Sequence, residues 1–226
     1  MPQMIDVCEI RAHVLKAHLG IAATRDTRYY LEGMFVDVAR ARLVSTDGVC
    51  LLVTKQEMTE RAAAVTPFIL KRELISAALK SVAIRGKRRA ATRITVQVSS
   101  DTTASVRQTR LVVELAAQEM LTDTEIDGRY PDYERVIPRT PSGATAAFNP
   151  MHLAQLHQAL ALAQNRDVTR FPVVLLHNAP FSGLMVGADN ALGVITTWDG
   201  EPRKPHLQDI SATRALENLG FPVPAA

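Results

Sequence analysis

The sequence predicts an α+β fold assembled from three similar units in series, each with a short strand, a helix and then several strands. Two kinds of observation support this reading. Apolar residues recur at helical spacing within residues 11–23, 70–82 and 150–163. After each helix come runs of strand length, apolar or alternating, punctuated by turn residues. Paired units of this kind place helices on one side and antiparallel sheets on the other.

The first unit opens with a strand at residues 5–10 and a helix at 11–23, whose stripe is Val14, Leu15, Leu19 and Ala22. Strands follow at 29–39, 41–45 and 49–55. The run Met34-Phe35-Val36-Asp37-Val38 reads as a well-buried strand. Thr46-Asp47-Gly48 reads as a tight hairpin turn, because glycine accepts a positive φ at little cost.

The second unit repeats the plan. Its strand is expected at 65–69 and its helix at 70–82, with Leu70, Leu74, Ala78 and Val82 buried. A basic loop, Arg85-Gly86-Lys87-Arg88-Arg89, leads to strands at 92–99, 103–108, 109–116 and 119–125. In the third unit Asn149 is a good N-cap and Pro150 suits the first turn. That helix carries Leu153, Leu156 and Leu160 and precedes strands at 173–177, 183–187 and 191–197. A short helix is expected at 210–219, inside a polar tail from 199. The expected divisions are 1–140 (units 5–60 and 65–138), 141–198 and 199–226.

Composition narrows the function classes. An apolar share of 47% supports a real core, and a net charge of +3 permits an anionic partner without requiring one. Cys8 and Cys50 make no disulfide framework, which fits a reduced, cytoplasmic protein. No apolar run is long enough for a membrane span, and residues 1–10 lack a signal core. No phosphate loop, nucleophile elbow or metal-ligand spacing occurs, so the expectation is a non-catalytic protein with no cofactor.

Two segments carry a resemblance. The first is Arg28-Tyr29-Tyr30-Leu31-Glu32-Gly33-Met34, followed by Ser45-Thr46-Asp47-Gly48. The second runs from Asp127 through Arg129-Tyr130-Pro131-Asp132-Tyr133-Glu134-Arg135-Val136 to Pro138. Both resemble hallmark segments of the bacterial sliding clamp, the beta subunit of DNA polymerase III. Residues 5–138 resemble the clamp's complete middle domain, and residues 147–197 the closing half of its last domain. The resemblance implies a DNA clamp fold with repeated strand-helix-strands units. It also implies a processivity factor that holds double-stranded DNA without reading sequence and tethers polymerase, clamp loader or repair proteins through short peptides. A clamp-derived adaptor or decoy that binds partners without forming a ring is the alternative.

In the clamp, partner peptides enter an apolar pocket between the middle and last domains. The positions that match it here are Arg28, Leu31, Thr46, Gly48, Leu51, Pro131, Arg135 and Val136. Val49 and Cys50 stand where the family often has a His-Arg pair, and Thr196-Thr197-Trp198 replaces its C-terminal pocket residues, so Trp198 joins the candidates. Candidate phosphate contacts are Arg11, Lys16, Lys71, Arg72 and Lys80 on the helices, and Arg85 and Lys87 in the basic loop. The third helix offers His152, Gln155 and Gln158 instead, which suits assembly better than phosphate binding. A half-domain leaves a sheet edge or helix stripe uncovered, which predicts a homo-oligomer.

Overall fold

The computed structural model describes residues 3–84, 92–100, 105–114, 119–180, 182–188 and 190–197. Unit one comprises β1 (Met4–Arg11), α1 (Ala12–Ile21), β2 (Gly33–Asp37), β3 (Arg42–Thr46) and β4 (Cys50–Lys55). Unit two comprises β5 (Phe68–Lys71), α2 (Arg72–Ile84), β6 (Arg93–Ser99), β7 (Gln108–Val113) and β8 (Glu119–Thr124). Unit three comprises α3 (Pro150–Ala163), β9 (Val174–Asn178), β10 (Ser182–Ala188) and β11 (Ala191–Thr196).

The first two units exchange their opening strands. β1 pairs with β6, giving a sheet in the order β1-β6-β7-β8. β5 pairs with β2, at one end of a sheet in the order β5-β2-β3-β4-β11-β10-β9. Every strand pairing is antiparallel. The joint between units one and three is β4 with β11, in a register that runs from Cys50↔Ile195 to Thr54↔Ala191.

Alternation along β4 then serves two cores. Cys50 and Leu52 face α1 and α3, with Ala17, Ile21, Leu156 and Leu160. Leu51 and Val53 face the other way, with Leu31, Tyr130, Tyr133 and Val194. Gly193 sits where a Cβ would come within 2.6 Å of Leu156, so its bareness lets α3 lie close on β11. A third core, with Leu15, Val36, Leu74, Val96 and Leu111, fills the space between the first two units.

α1 packs against both α2 and α3. Its C-terminal carbonyls, orphaned by helix geometry, are capped from both sides. Arg72 donates from Nη1 to Leu19 O at 2.8 Å and Ala22 O at 2.9 Å. Gln155 on α3 donates from Nε2 to Gly20 O at 3.0 Å.

Several boundaries differ from the sequence reading. The run at 29–39 is a strand only over Gly33–Asp37, flanked by 3-10 turns at Tyr29–Leu31 and Val38–Arg40. β5 begins at Phe68, and Leu70 is buried in that strand rather than in the helix, which starts at Arg72. Of the expected α1 stripe, Leu15 and Ala22 are buried while Val14 and Leu19 are only partly so; Ala12, Ala17, His18 and Ile21 complete the buried face. Asn149 caps α3, accepting from Met151 N at 2.9 Å. Gln108 opens β7, and the expected strand at 103–108 otherwise yields no strand in its described part. The expected helix at 210–219 lies outside the described residues.

The edge left by unit three is partly closed. Gly143 N donates to His177 O at 3.0 Å, and Ala179 N to Ala144 O at 3.3 Å. The segment entering α3 thus lies along the end of β9, on the side away from β10.

A candidate partner pocket and a helix face

Eight of the nine expected pocket residues line one cavity of about 430 Å³: Arg28, Leu31, Thr46, Gly48, Leu51, Pro131, Arg135 and Val136. The ninth, Trp198, lies outside the described residues. The cavity straddles the β4·β11 joint, where Leu51 and Val194 are directly paired.

Its floor is set by the turn after β3. Gly48 has φ +91°, and Asp47 Oδ1 accepts from Val49 N at 2.8 Å and Cys50 N at 2.7 Å. Thr46 Oγ1 donates to Cys50 O at 2.7 Å. One rim is Arg28, whose guanidinium is fixed by Asp26 at 3.0 Å and 2.8 Å and reaches Asp47 O at 3.3 Å. The hydrogen bonds from Arg28 hold the Asp26 carboxyl down at about 2, below the usual carboxylate range.

The opposite wall is the second hallmark segment. Tyr130 stacks on Phe35 with ring centroids 4.7 Å apart. Tyr133 donates to Asp37 Oδ2 at 2.7 Å, and Arg42 Nη1 bonds both Tyr133 Oη at 3.3 Å and Glu134 Oε1 at 2.7 Å. Burial, then the bond to Asp37, pushes the Tyr133 hydroxyl up to about 12, so it stays a donor. Val136 is left 51% exposed at the mouth, an apolar side chain without a cover.

On the helix side, a groove of about 410 Å³ is lined by Leu19, Leu79 and Leu162 with Lys16 and Lys80. Arg11, Lys16 and Lys80 are exposed, but Arg11 ends β1 and Lys71 ends β5, so neither lies on the helix expected for it. Lys71 and Arg72 are engaged within the chain: Lys71 Nζ bonds Asp123 Oδ1 and Thr124 Oγ1, each at 2.7 Å, and Arg72 caps α1. Arg85 and Lys87 lie outside the described residues. No group of His, Cys, Asp or Glu among the described residues is placed to hold a metal ion, and no helix among them is long and apolar enough to cross a membrane.

The chain as a whole is similar to known proteins. A curated beta sliding clamp of Caulobacter vibrioides is 30% identical over 141 residues, covering 60% of this chain and 34% of the relative. The DNA polymerase III beta structure from Caulobacter crescentus superposes with a TM-score of 0.57 at 18% identity, over 86% of this chain and 66% of that one. The chain has the sliding-clamp fold. The DnaN sliding clamp of Bartonella birtlesii, solved bound to griselimycin, matches with a TM-score of 0.59 at 16% identity, over 87% of this chain and 67% of that one. No protein-family model matches the chain. The chain spans about a third (34%) of the curated relative's length.

Within this sliding-clamp fold, the sequence reading missed half of the pocket. Val49, Asp132, Tyr133 and Pro138 flank the expected positions, and Asn178, Ser182, Val194 and Thr196 come from unit three. Val49 adjoins the first hallmark segment and the other three lie within the second, so all four were within reach of a sequence argument. The last four required knowing that β11 pairs with β4. Of the two departures from the family pattern, Val49 lines the pocket while Cys50 points away, its Sγ 3.6 Å from His152 O.

Proposed function

We propose that the chain is a non-catalytic, clamp-like processivity factor of the cytoplasm. It acts as a homo-oligomer that holds double-stranded DNA against its helix face and tethers replication or repair proteins by short peptides. The observation that carries this reading is the cavity across the β4·β11 joint, where residues from both hallmark segments converge. Apolar Leu31, Leu51, Val136 and Val194 suit the leucine or aromatic anchor of an extended peptide, and Arg28 and Arg135 suit a polar or acidic flank. Arg11, Lys16 and Lys80 supply sequence-blind phosphate contacts. The divisions 1–140 and 141–198 correspond in this reading to one complete clamp domain and half of another.

The test is fluorescence anisotropy with a labelled clamp-binding peptide. Val136→Glu, at an exposed position, should weaken binding at least tenfold and leave the melting temperature unchanged; equal binding would exclude the pocket. The adaptor reading draws support from Lys71 and Arg72, whose internal bonds thin the basic face. Retention on circular DNA separates the two readings, because an adaptor without a ring slides off no differently from circles and linear fragments.

A further inference from the structure

We infer that a second cavity, beside the peptide pocket, takes acidic residues of the same partner peptide. The inference rests on the pocket reading above and extends it past the apolar anchor.

The cavity holds about 580 Å³ and lies on the pocket's side of the sheet. Alternation along β4 puts Leu51, Val53 and Lys55 on one face. Leu51 pairs with Val194 in the pocket, and Val53 pairs with Leu192 in this cavity. Lys55 comes next, paired with Arg42 of β3. The two cavities therefore occupy successive stretches of one joint, on the face turned away from α1 and α3. That placement disfavours duplex DNA, whose proposed contacts lie on the helix side.

The lining is strongly cationic. Arg40, Arg42, Lys55 and Arg139 meet a single carboxylate there among the described residues, Glu134. Glu134 is already shared, with Arg40 Nε at 3.3 Å and Arg42 Nη1 at 2.7 Å from its Oε1. The buried Asp37 is likewise shared between Arg40 and Tyr133. Lys55 and Arg139 are exposed and have no ion pair among the described residues. Like charges directly opposite in an antiparallel pair destabilise a sheet, and Arg42 with Lys55 is such a pair. A carboxylate seated between them offsets that repulsion.

The shape favours a peptide over a small anion. Val53, Ile137 and Leu192 give the cavity an apolar floor under its charged rim. Glutamate side chains match both, with methylene stems and carboxylate heads. An extended peptide rises about 3.3 Å per residue, as β4 itself does. An acidic run starting four residues from an anchor at Leu51 therefore reaches Lys55 and Arg42.

The test is fluorescence anisotropy on the full chain with three labelled peptides that share one apolar clamp-binding anchor. One is otherwise neutral. The others add three glutamates, beginning four residues before or four residues after the anchor. One of the acidic peptides should bind about fivefold tighter than the neutral one, and high salt should remove the gain. Lys55→Glu with Arg139→Glu, both at exposed positions, should erase the gain and leave neutral-peptide affinity and melting temperature unchanged. Arg135→Gln, at the pocket rim, should weaken both peptides alike and preserve their ratio. No gain in either acidic peptide overturns the inference, as does a gain that survives the Lys55 and Arg139 substitutions or vanishes in Arg135→Gln. Shorter retention of the doubly substituted chain on circular DNA, with peptide binding unchanged, also overturns it and assigns the cavity to phosphate. A neutral peptide that fails to bind the wild-type chain sinks the pocket reading and this inference together, whereas neutral binding without an acidic gain sinks this inference alone.

Discussion

The Tyr133 hydroxyl donates to the buried Asp37 carboxylate at 2.7 Å, across a sequence separation of 96 residues. That bond fastens the second hallmark segment to the end of β2. Arg40 and Arg42 extend it through Glu134 at 3.3 Å and 2.7 Å. One wall of the pocket is therefore held by a polar network rather than by apolar packing alone, and such networks are rigid only when every member is satisfied.

Tyr133→Phe should cost about 1–3 kcal/mol, because Asp37 keeps its burial and loses its best donor. Chemical denaturation measures the loss. Peptide affinity should fall as well, since the 132–138 segment loosens, and Asp37→Asn should behave similarly.

Gly48→Ala tests the pocket floor. Its φ of +91° is strained for alanine, and the new Cβ would lie 2.7 Å from Arg28 Nη2. Roughly 1–2 kcal/mol of stability should be lost. Peptides with an acidic flank should lose several-fold more affinity than peptides carrying only apolar anchors, because the displaced group is the Arg28 rim.

His18 gives the stability a pH dependence. It is fully buried between Ser45 Oγ at 3.1 Å and Thr54 Oγ1 at 2.9 Å, and burial lowers its pKa from 6.5 to about 3. The unfolded chain therefore takes up a proton below pH 6.5 that the folded chain refuses. Stability should be flat above that pH and fall as the pH drops below it, by a slope approaching about 1.4 kcal/mol per unit. Denaturation between pH 5 and 8 measures the slope, and His18→Gln should flatten it.

Lys16→Glu with Lys80→Glu should shorten retention on circular DNA and reduce the salt dependence of binding by about two phosphate contacts. Lys71→Glu should mainly lower stability, since its ammonium already bonds Asp123 and Thr124. Equal loss of retention in both would return Lys71 to the DNA face.

The order of strands and helices was legible because periodicity is local: α3 and its Asn149 cap sit where residue spacing places them. Boundaries slipped where a 3-10 turn interrupts an apolar run, as at Tyr29–Leu31 and Val38–Arg40. The buried face of α1 was legible only in Leu15 and Ala22, because His18 counts as polar, yet Ser45 and Thr54 bond both its ring nitrogens. The hallmark residues of the pocket were legible through likeness to a known family. Val194 and Ser182 were not, since nothing near them in sequence records that β11 lies beside β4.

That pairing has a further consequence. Among the described residues unit three has no opening strand beside β9, and it completes its core with Ala17, Ile21, Cys50 and Leu52 of unit one. Its folding and the existence of the pocket are thus one equilibrium. A peptide seated across Leu51 and Val194 clasps two units that would otherwise be held by a single strand pair and the helices beneath it. Occupancy should therefore be readable as protection of α3 against proteolysis, far from the peptide itself.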